Sequence, residues 1–229
     1  MRQIILDTET TGLRVEDGHR MIEIACLEMI NRKLSGKFFH YYINPERDID
    51  KEAEKIHGIS NALLNDKPVF RQIEQELMDF IKGAELIIHN APFDLGFLNY
   101  EFSLTRTDFE SVTDYCAIID TLQLARKLHA GQRNSLDALC KRYGVDNSRR
   151  DLHGALIDTD LLAQVYLLMT GGQGSFFDLP SENNHAVTRA NMNTAIAQSA
   201  EQHNLMVLQA SPEELLEHEK YLELLEKQG

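Results

Sequence analysis

Cysteine, long apolar runs and basic charge are all scarce in this 229-residue chain, and each scarcity removes a class of explanation. The three cysteines, Cys26, Cys116 and Cys140, are far apart and odd in number, so they make neither a zinc-ligand spacing nor a disulfide framework. That usage fits a reducing cytoplasm. No window approaches 18 uninterrupted apolar residues, and the chain enters strand-like sequence almost at once, without the pattern of a signal peptide. The expectation is a soluble cytoplasmic protein with no membrane contact. Lysine and arginine number 23 against 36 acidic residues, a net charge of −13. Such a chain has no general attraction to duplex DNA, because sequence-independent affinity comes from basic residues neutralising phosphates.

With 43% hydrophobic residues, the chain is long enough for one sizeable domain and an appendage. The most informative stretch is at its start. Ile4-Ile5-Leu6 reads as a buried strand and runs straight into Asp7-Thr8-Glu9-Thr10-Thr11-Gly12. Side chains two apart on a strand share a side, so Asp7 and Glu9 face the same neighbourhood, where desolvation and like-charge repulsion oppose two ionised groups. A divalent cation removes both penalties; a turn with Asp7 capping an amide and Glu9 solvated is the plainer alternative. A second strand, Leu86-Ile87-Ile88, leads into His89-Asn90-Ala91-Pro92-Phe93-Asp94, where Pro92 suits a helix start and puts Asp94 in its first turn. Third, His153-Gly154-Ala155-Leu156-Ile157-Asp158 opens a segment whose apolar period includes Ile157, Leu161, Val165 and Leu168. Residues five apart on one helix lie about 140° apart, so the helix must begin after Gly154, leaving His153 on the preceding loop.

These three motifs, in this order, resemble the DEDDh 3′→5′ exonucleases. The likeness continues through Glu52, His57-Gly58-Ile59 and Arg133-Asn134-Ser135-Leu136-Asp137-Ala138-Leu139 and spans residues 1 to about 172. It is strongest toward the proofreading members that serve bacterial replicative polymerases. The resemblance implies an α/β fold of the ribonuclease H-like kind, a mixed sheet flanked by helices. It also implies two divalent cations, Mg²⁺ or Mn²⁺, held by Asp7, Glu9, Asp94 and Asp158, with His153 as general base in hydrolysis of the 3′-terminal phosphodiester to nucleoside 5′-monophosphates. Histidine ordinarily titrates near 6.5, which suits a base at neutral pH. Carried over in the same way, Asp7, Glu9, Thr10, Leu13, Glu52, His57, Asn90, Phe93 and Asp158 contact the 3′ end of single-stranded or frayed DNA. Glu52 and His57 equally suit capping and packing of a short helix, and Thr10-Thr11-Gly12 is also plain turn chemistry. Asp120, between a strand and a helix, reads as an N-cap.

The pattern predicts strands near 2–7, 21–30, 36–43, 85–89 and 114–120, and helices near 70–82, 93–104, 121–128, 135–143 and 155–170, with short helical pieces in 51–65. Arg126 to Arg150 holds seven basic residues against two acidic ones, either a ramp for a DNA backbone or a solvated helix face. The division expected is an exonuclease domain over 1–172, a flexible linker over 173–195 and a partner-binding segment over 196–229. In the linker, Gln173, Phe176 and Phe177 resemble the short peptide by which bacterial replication proteins bind the sliding clamp; packing on the nuclease domain is the other reading. Ser211-Pro212-Glu213-Glu214 is a helix start, and the stripe of Leu215, Leu222 and Leu225 after it would, by resemblance, tether the polymerase catalytic subunit or else dock back on its own domain. Two other functions remain open at this point: a stand-alone DEDDh ribonuclease, and an adaptor between polymerase and clamp without catalysis.

Overall fold

A computed structural model describes residues 1–148 and 152–171. The chain builds a five-stranded sheet from β1 (Arg2–Thr10), β2 (Met21–Ile30), β3 (Lys33–Tyr42), β4 (Glu85–Ile88) and β5 (Ala117–Asp120). Its order is β3-β2-β1-β4-β5. The first three strands are antiparallel neighbours, while β4 and β5 add in parallel beside β1. This is the mixed sheet expected. Helices α1 (Lys51–His57), α2 (Asn61–Leu64) and α3 (Phe70–Ile81) follow β3, and α4 (Ala91–Thr105) follows β4. Helices α5 (Thr121–Leu128), α6 (Leu136–Tyr143) and α7 (Ala155–Thr170) follow β5.

Strand alternation feeds two cores. Ile4 and Leu6 pack with Phe70, Leu77, Phe97 and Phe102 of α3 and α4, whereas Ile5 packs with Leu139 of α6 and Leu162, Val165 and Tyr166 of α7. Asp7 and Glu9 therefore extend the face that α7 covers, and Thr8 extends the face that α4 covers. All three cysteines are buried. The Cys26 thiol is held above its ordinary value chiefly by burial, and that of Cys116 is pushed up to about 11 for the same reason.

Several boundaries differ from expectation, each for a local reason. Strand β1 continues to Thr10 because its antiparallel ladder with β2 runs on to Met21, with an irregularity between Glu9 and Thr10. The parallel ladder with β4 stops at Leu6 and Ile88, so Asp7 is the residue of β1 directly beyond that ladder. Strand β3 begins at Lys33 because Asn31 and Arg32, at φ 50° and 66°, close a tight hairpin without glycine. The residues before β5 form a 3₁₀ turn, Val112–Asp114, capped by Ser111. On α7 the buried stripe is Leu161, Leu162, Val165, Tyr166 and Met169, whereas Ile157 and Leu168 are exposed.

Among the described residues no helix is long and apolar enough to cross a membrane. Arg149 and Arg150 lie outside the described residues, as do the linker and tail expected over 173–229, with Gln173, Phe176, Phe177, Leu215, Leu222 and Leu225.

Candidate active site

The acids converge where β1 loses its parallel neighbour. Gly154 caps α7 in an extended conformation, so the helix starts at Ala155 with His153 on the loop before it, as the spacing required. Within that turn His153 Nδ1 lies 3.3 Å from Asp158 Oδ2, with Asp158 buried and the imidazole half-exposed. One ligand atom from each of Glu9, His153 and Asp158 fits within 4.8 Å of the others. Asp7, His153 and Asp158 line a cleft of about 810 Å³ that also takes in His89 and Asn90.

Asp94 arrives from the opposite face of the sheet. Asn90, in the left-handed conformation, ends the β4 connection, Pro92 occupies the first turn of α4, and Asp94 follows within that turn. Its carboxylate accepts a 2.8 Å hydrogen bond from the Thr8 hydroxyl, between Asp7 and Glu9 in sequence. Burial pushes its pKa up to about 7; the Thr8 hydroxyl and backbone amides oppose the shift, and the Asp120 charge adds to it. Glu9, His153 and Asp158 form a set of oxygen and nitrogen donors that suits a divalent cation; Asp94 lies outside that group and is linked to β1 through Thr8.

A second cavity of about 390 Å³ adjoins through Glu9. Thr10, Leu13, Glu52, His57 and Phe93 all contribute to its lining, so the structure brings these residues together, with Asn90 in the neighbouring cleft. The plainer roles coexist with this placement. Thr10 donates to the Gly12 carbonyl at 2.7 Å, and Glu52 pairs with Lys55. His57 Nδ1 accepts the Ile59 amide at the end of α1. The other nitrogen of His57, Nε2, is buried without a close hydrogen bond, with the Thr10 backbone as the polar group facing the ring. Desolvation first of all holds this imidazole below its ordinary pKa. Leu13 is 77% exposed at the cavity rim. The turn carrying it lies on the His19 ring, which bonds Thr11 Oγ1 at 3.0 Å, and a Cβ on Gly12 would sit 2.2 Å from that ring.

Other assignments sort cleanly. Asp120 is an N-cap, accepting from the amides of Leu122 and Gln123. Of the basic stretch, Arg126 lines the larger cleft, whereas Arg142 is tied to Asn134 and the Arg133 carbonyl. Sequence reasoning gave no role to Thr8, Gln132 or Ser135, although the last two line the cleft. The run from Arg133 to Leu139, quoted only as part of a resemblance, was the available signal.

The family model described as Exonuclease matches residues 4–166. The chain belongs to the exonuclease family. Within the family it is 49% identical to the DNA polymerase III subunit epsilon of Salmonella typhimurium, over all of this chain and 95% of that one. To the subunits of that name from Escherichia coli and Rickettsia typhi it is 48% and 49% identical, over 100% and 97% of this chain and 95% and 96% of theirs. Among solved structures, Exonuclease X in complex with 5′ overhanging duplex DNA matches at a TM-score of 0.57 and 28% identity, covering 76% of this chain and 93% of that one. The zinc-bound E. coli exonuclease I complex with single-stranded DNA matches at 0.66 and 18%, covering 77% of this chain and 42% of that one; at that identity it speaks for the fold alone. This member of the exonuclease family is accordingly an enzyme, a proofreading 3′→5′ exonuclease.

Proposed function

We propose that the chain removes 3′-terminal nucleotides from single-stranded or frayed DNA at a bacterial replication fork, with Asp7, Glu9, Asp94 and Asp158 holding two divalent cations, Mg²⁺ or Mn²⁺, and His153 acting as general base. The observation that carries the reading is the meeting of Glu9, His153 and Asp158, with Asp7, His153 and Asp158 lining the cleft and Glu9 lining the cavity of about 390 Å³. When bound, the cations supply positive charge to the scissile phosphate and its leaving oxygen. The residues do the rest. Thr10, Leu13, His57 and Phe93 seat the terminal nucleotide, and Asn90 and Arg126 take up the strand behind it. His153 accepts the proton of the attacking water, its ring oriented by the Asp158 carboxylate. The new bond joins the water oxygen to phosphorus. The bond from phosphorus to the penultimate 3′-oxygen breaks, that oxygen takes a proton from solvent, and a nucleoside 5′-monophosphate leaves.

By the same reading the segment over 196–229, with Leu215, Leu222 and Leu225, folds onto the polymerase catalytic subunit, and Gln173, Phe176 and Phe177 engage the sliding clamp. Nine acidic against three basic residues from 173 onward favour a basic partner surface. A net-acidic nuclease gains from such a tether because its own attraction to DNA is weak. The deciding experiment incubates the protein with a 3′-mismatched primer-template and a matching RNA oligonucleotide, under Mg²⁺, Mn²⁺ and chelator. Metal-dependent shortening of the DNA from its 3′ end is expected; selective trimming of the RNA would make it a ribonuclease, and no cleavage of either an adaptor.

A further inference from the structure

A third carboxylate shares the face of Asp7 and Glu9. Glu23 on β2 is the direct cross-strand partner of Glu9, yet it lines neither the cleft nor the adjoining cavity. Directly opposed side chains stand on one face with Cβ atoms roughly 5 Å apart, and like charges so placed repel. Glu23 is only 2% exposed. Tyr42 on β3 interacts with it, and two hydrogen bonds hold its two oxygens. One oxygen accepts His40 Nε2–H at 2.7 Å, the imidazole coming from β3. The other accepts the amide of Ala155 at 3.1 Å, a buried bond spanning 132 positions of sequence.

That amide opens α7. A helix leaves its first N–H groups without partners, and the residue at the N-cap here is Gly154, which has no side chain to supply one. A carboxylate at a helix start also complements its partial positive charge. Glu23 thus supplies, from across the sheet, a cap on the turn that carries His153 at one end and Asp158 at the other. The backbone of His153 is fastened once more, its amide donating to the Ile56 carbonyl at the end of α1. Burying a carboxylate against an imidazole is a poor way to gain stability, since apolar replacement often costs nothing; its geometry is what an apolar side chain lacks.

We propose that Glu23, fixed by His40, is a positioning residue that seats the first turn of α7 and so holds His153 in register with Glu9 and Asp158. The inference rests on the assignment of His153 as general base. It makes no contact with substrate necessary, so its signature is a fall in kcat without a matching change in KM.

The test is a double-mutant cycle in the full chain, read on a single-stranded DNA oligonucleotide. Glu23→Leu is expected to lower kcat roughly tenfold or more with KM little changed. Glu23→Gln keeps an oxygen for the Ala155 amide and is expected to stay close to wild type. In a His153→Ala background, Glu23→Leu should cost almost nothing further, because the group it positions is gone. Equal losses in both backgrounds would mean that Glu23 acts through Asp158 or through the fold as a whole rather than through His153, and would overturn the proposal. Wild-type kcat in Glu23→Leu would overturn it as well. Should Glu23→Leu not fold, His40→Phe, which keeps the ring and removes the donor, enters the same cycle under the same two criteria. Full activity of His153→Ala by itself would refute the general-base reading rather than the geometry around Glu23.

Discussion

Helices α4 and α7 do the same job from opposite faces of the sheet, each delivering an acid in its first turn toward β1, but they are built differently. The start of α4 is local. Asn90, Pro92 and Asp94 follow one another directly after β4, and the one outside contact needed is the Thr8 hydroxyl. The start of α7 is assembled at long range, from the Glu23 carboxylate on β2, the Ile56 carbonyl on α1, and Leu152 lying against Gly58. A site can therefore contain one part that travels with a short motif and another that exists only when the whole domain is folded.

The comparison is broken most completely by removing either acid. Asp158→Ala and Asp94→Ala are each expected to lower kcat on single-stranded DNA by on the order of a thousandfold, with the circular-dichroism spectrum unchanged. A variant that kept its rate would show that one face suffices. His153→Ala, on the long-range side, is expected to cost roughly a hundredfold or more, measured under single-turnover conditions with saturating metal. Loss confined to KM would assign the imidazole to binding.

Stability separates the two starts by pH. Asp94 has its folded-state pKa raised to about 7, above the ordinary carboxylate value of the unfolded chain, so in chelator the stability that its protonated form contributes is lost as pH climbs through that interval and is gone above neutrality. Asp94→Asn should then raise the melting temperature by several degrees at pH 8 and leave it nearly unchanged at pH 4. An equal gain at both would place the penalty elsewhere. On the other side, Gly58 sits at φ 71°, and an added Cβ would approach Leu152 Cδ1 to 2.5 Å. Gly58→Ala is expected to cost roughly 1 kcal/mol and a few-fold in kcat through the displaced His153 loop; loss of stability with kcat intact would uncouple that loop from α1.

The same contrast governs how much could be read from the residues alone. Asp94 in a helix first turn, His153 outside its helix and Asp120 as a cap were all legible, because proline, glycine and short-range spacing act locally. The mixed sheet was legible from apolar runs of strand length. Strand ends were less so, since β1 is prolonged by its ladder with β2 and β3 by a hairpin that uses Asn31 and Arg32 in place of glycine. Glu23 escaped notice altogether: an acid inside Met21-Ile22-Glu23-Ile24 reads as one outward-facing residue of an alternating strand until α7 is laid against it. The misplacement of Ile157 and Leu168 in the stripe expected on α7, which was right for Leu161 and Val165, has a similar origin. The helix is apolar around much of its circumference, so periodicity alone could not separate Leu162 and Tyr166 from Leu168.

The burial of every cysteine has a practical consequence. Cys26, Cys116 and Cys140 are closed to solvent, and burial disfavours the reactive thiolate at Cys26 and Cys116. An alkylating reagent will wait for the domain to open before it reacts. Its rate becomes a clock for opening, and a single cysteine placed on the surface would carry a fluorophore almost alone.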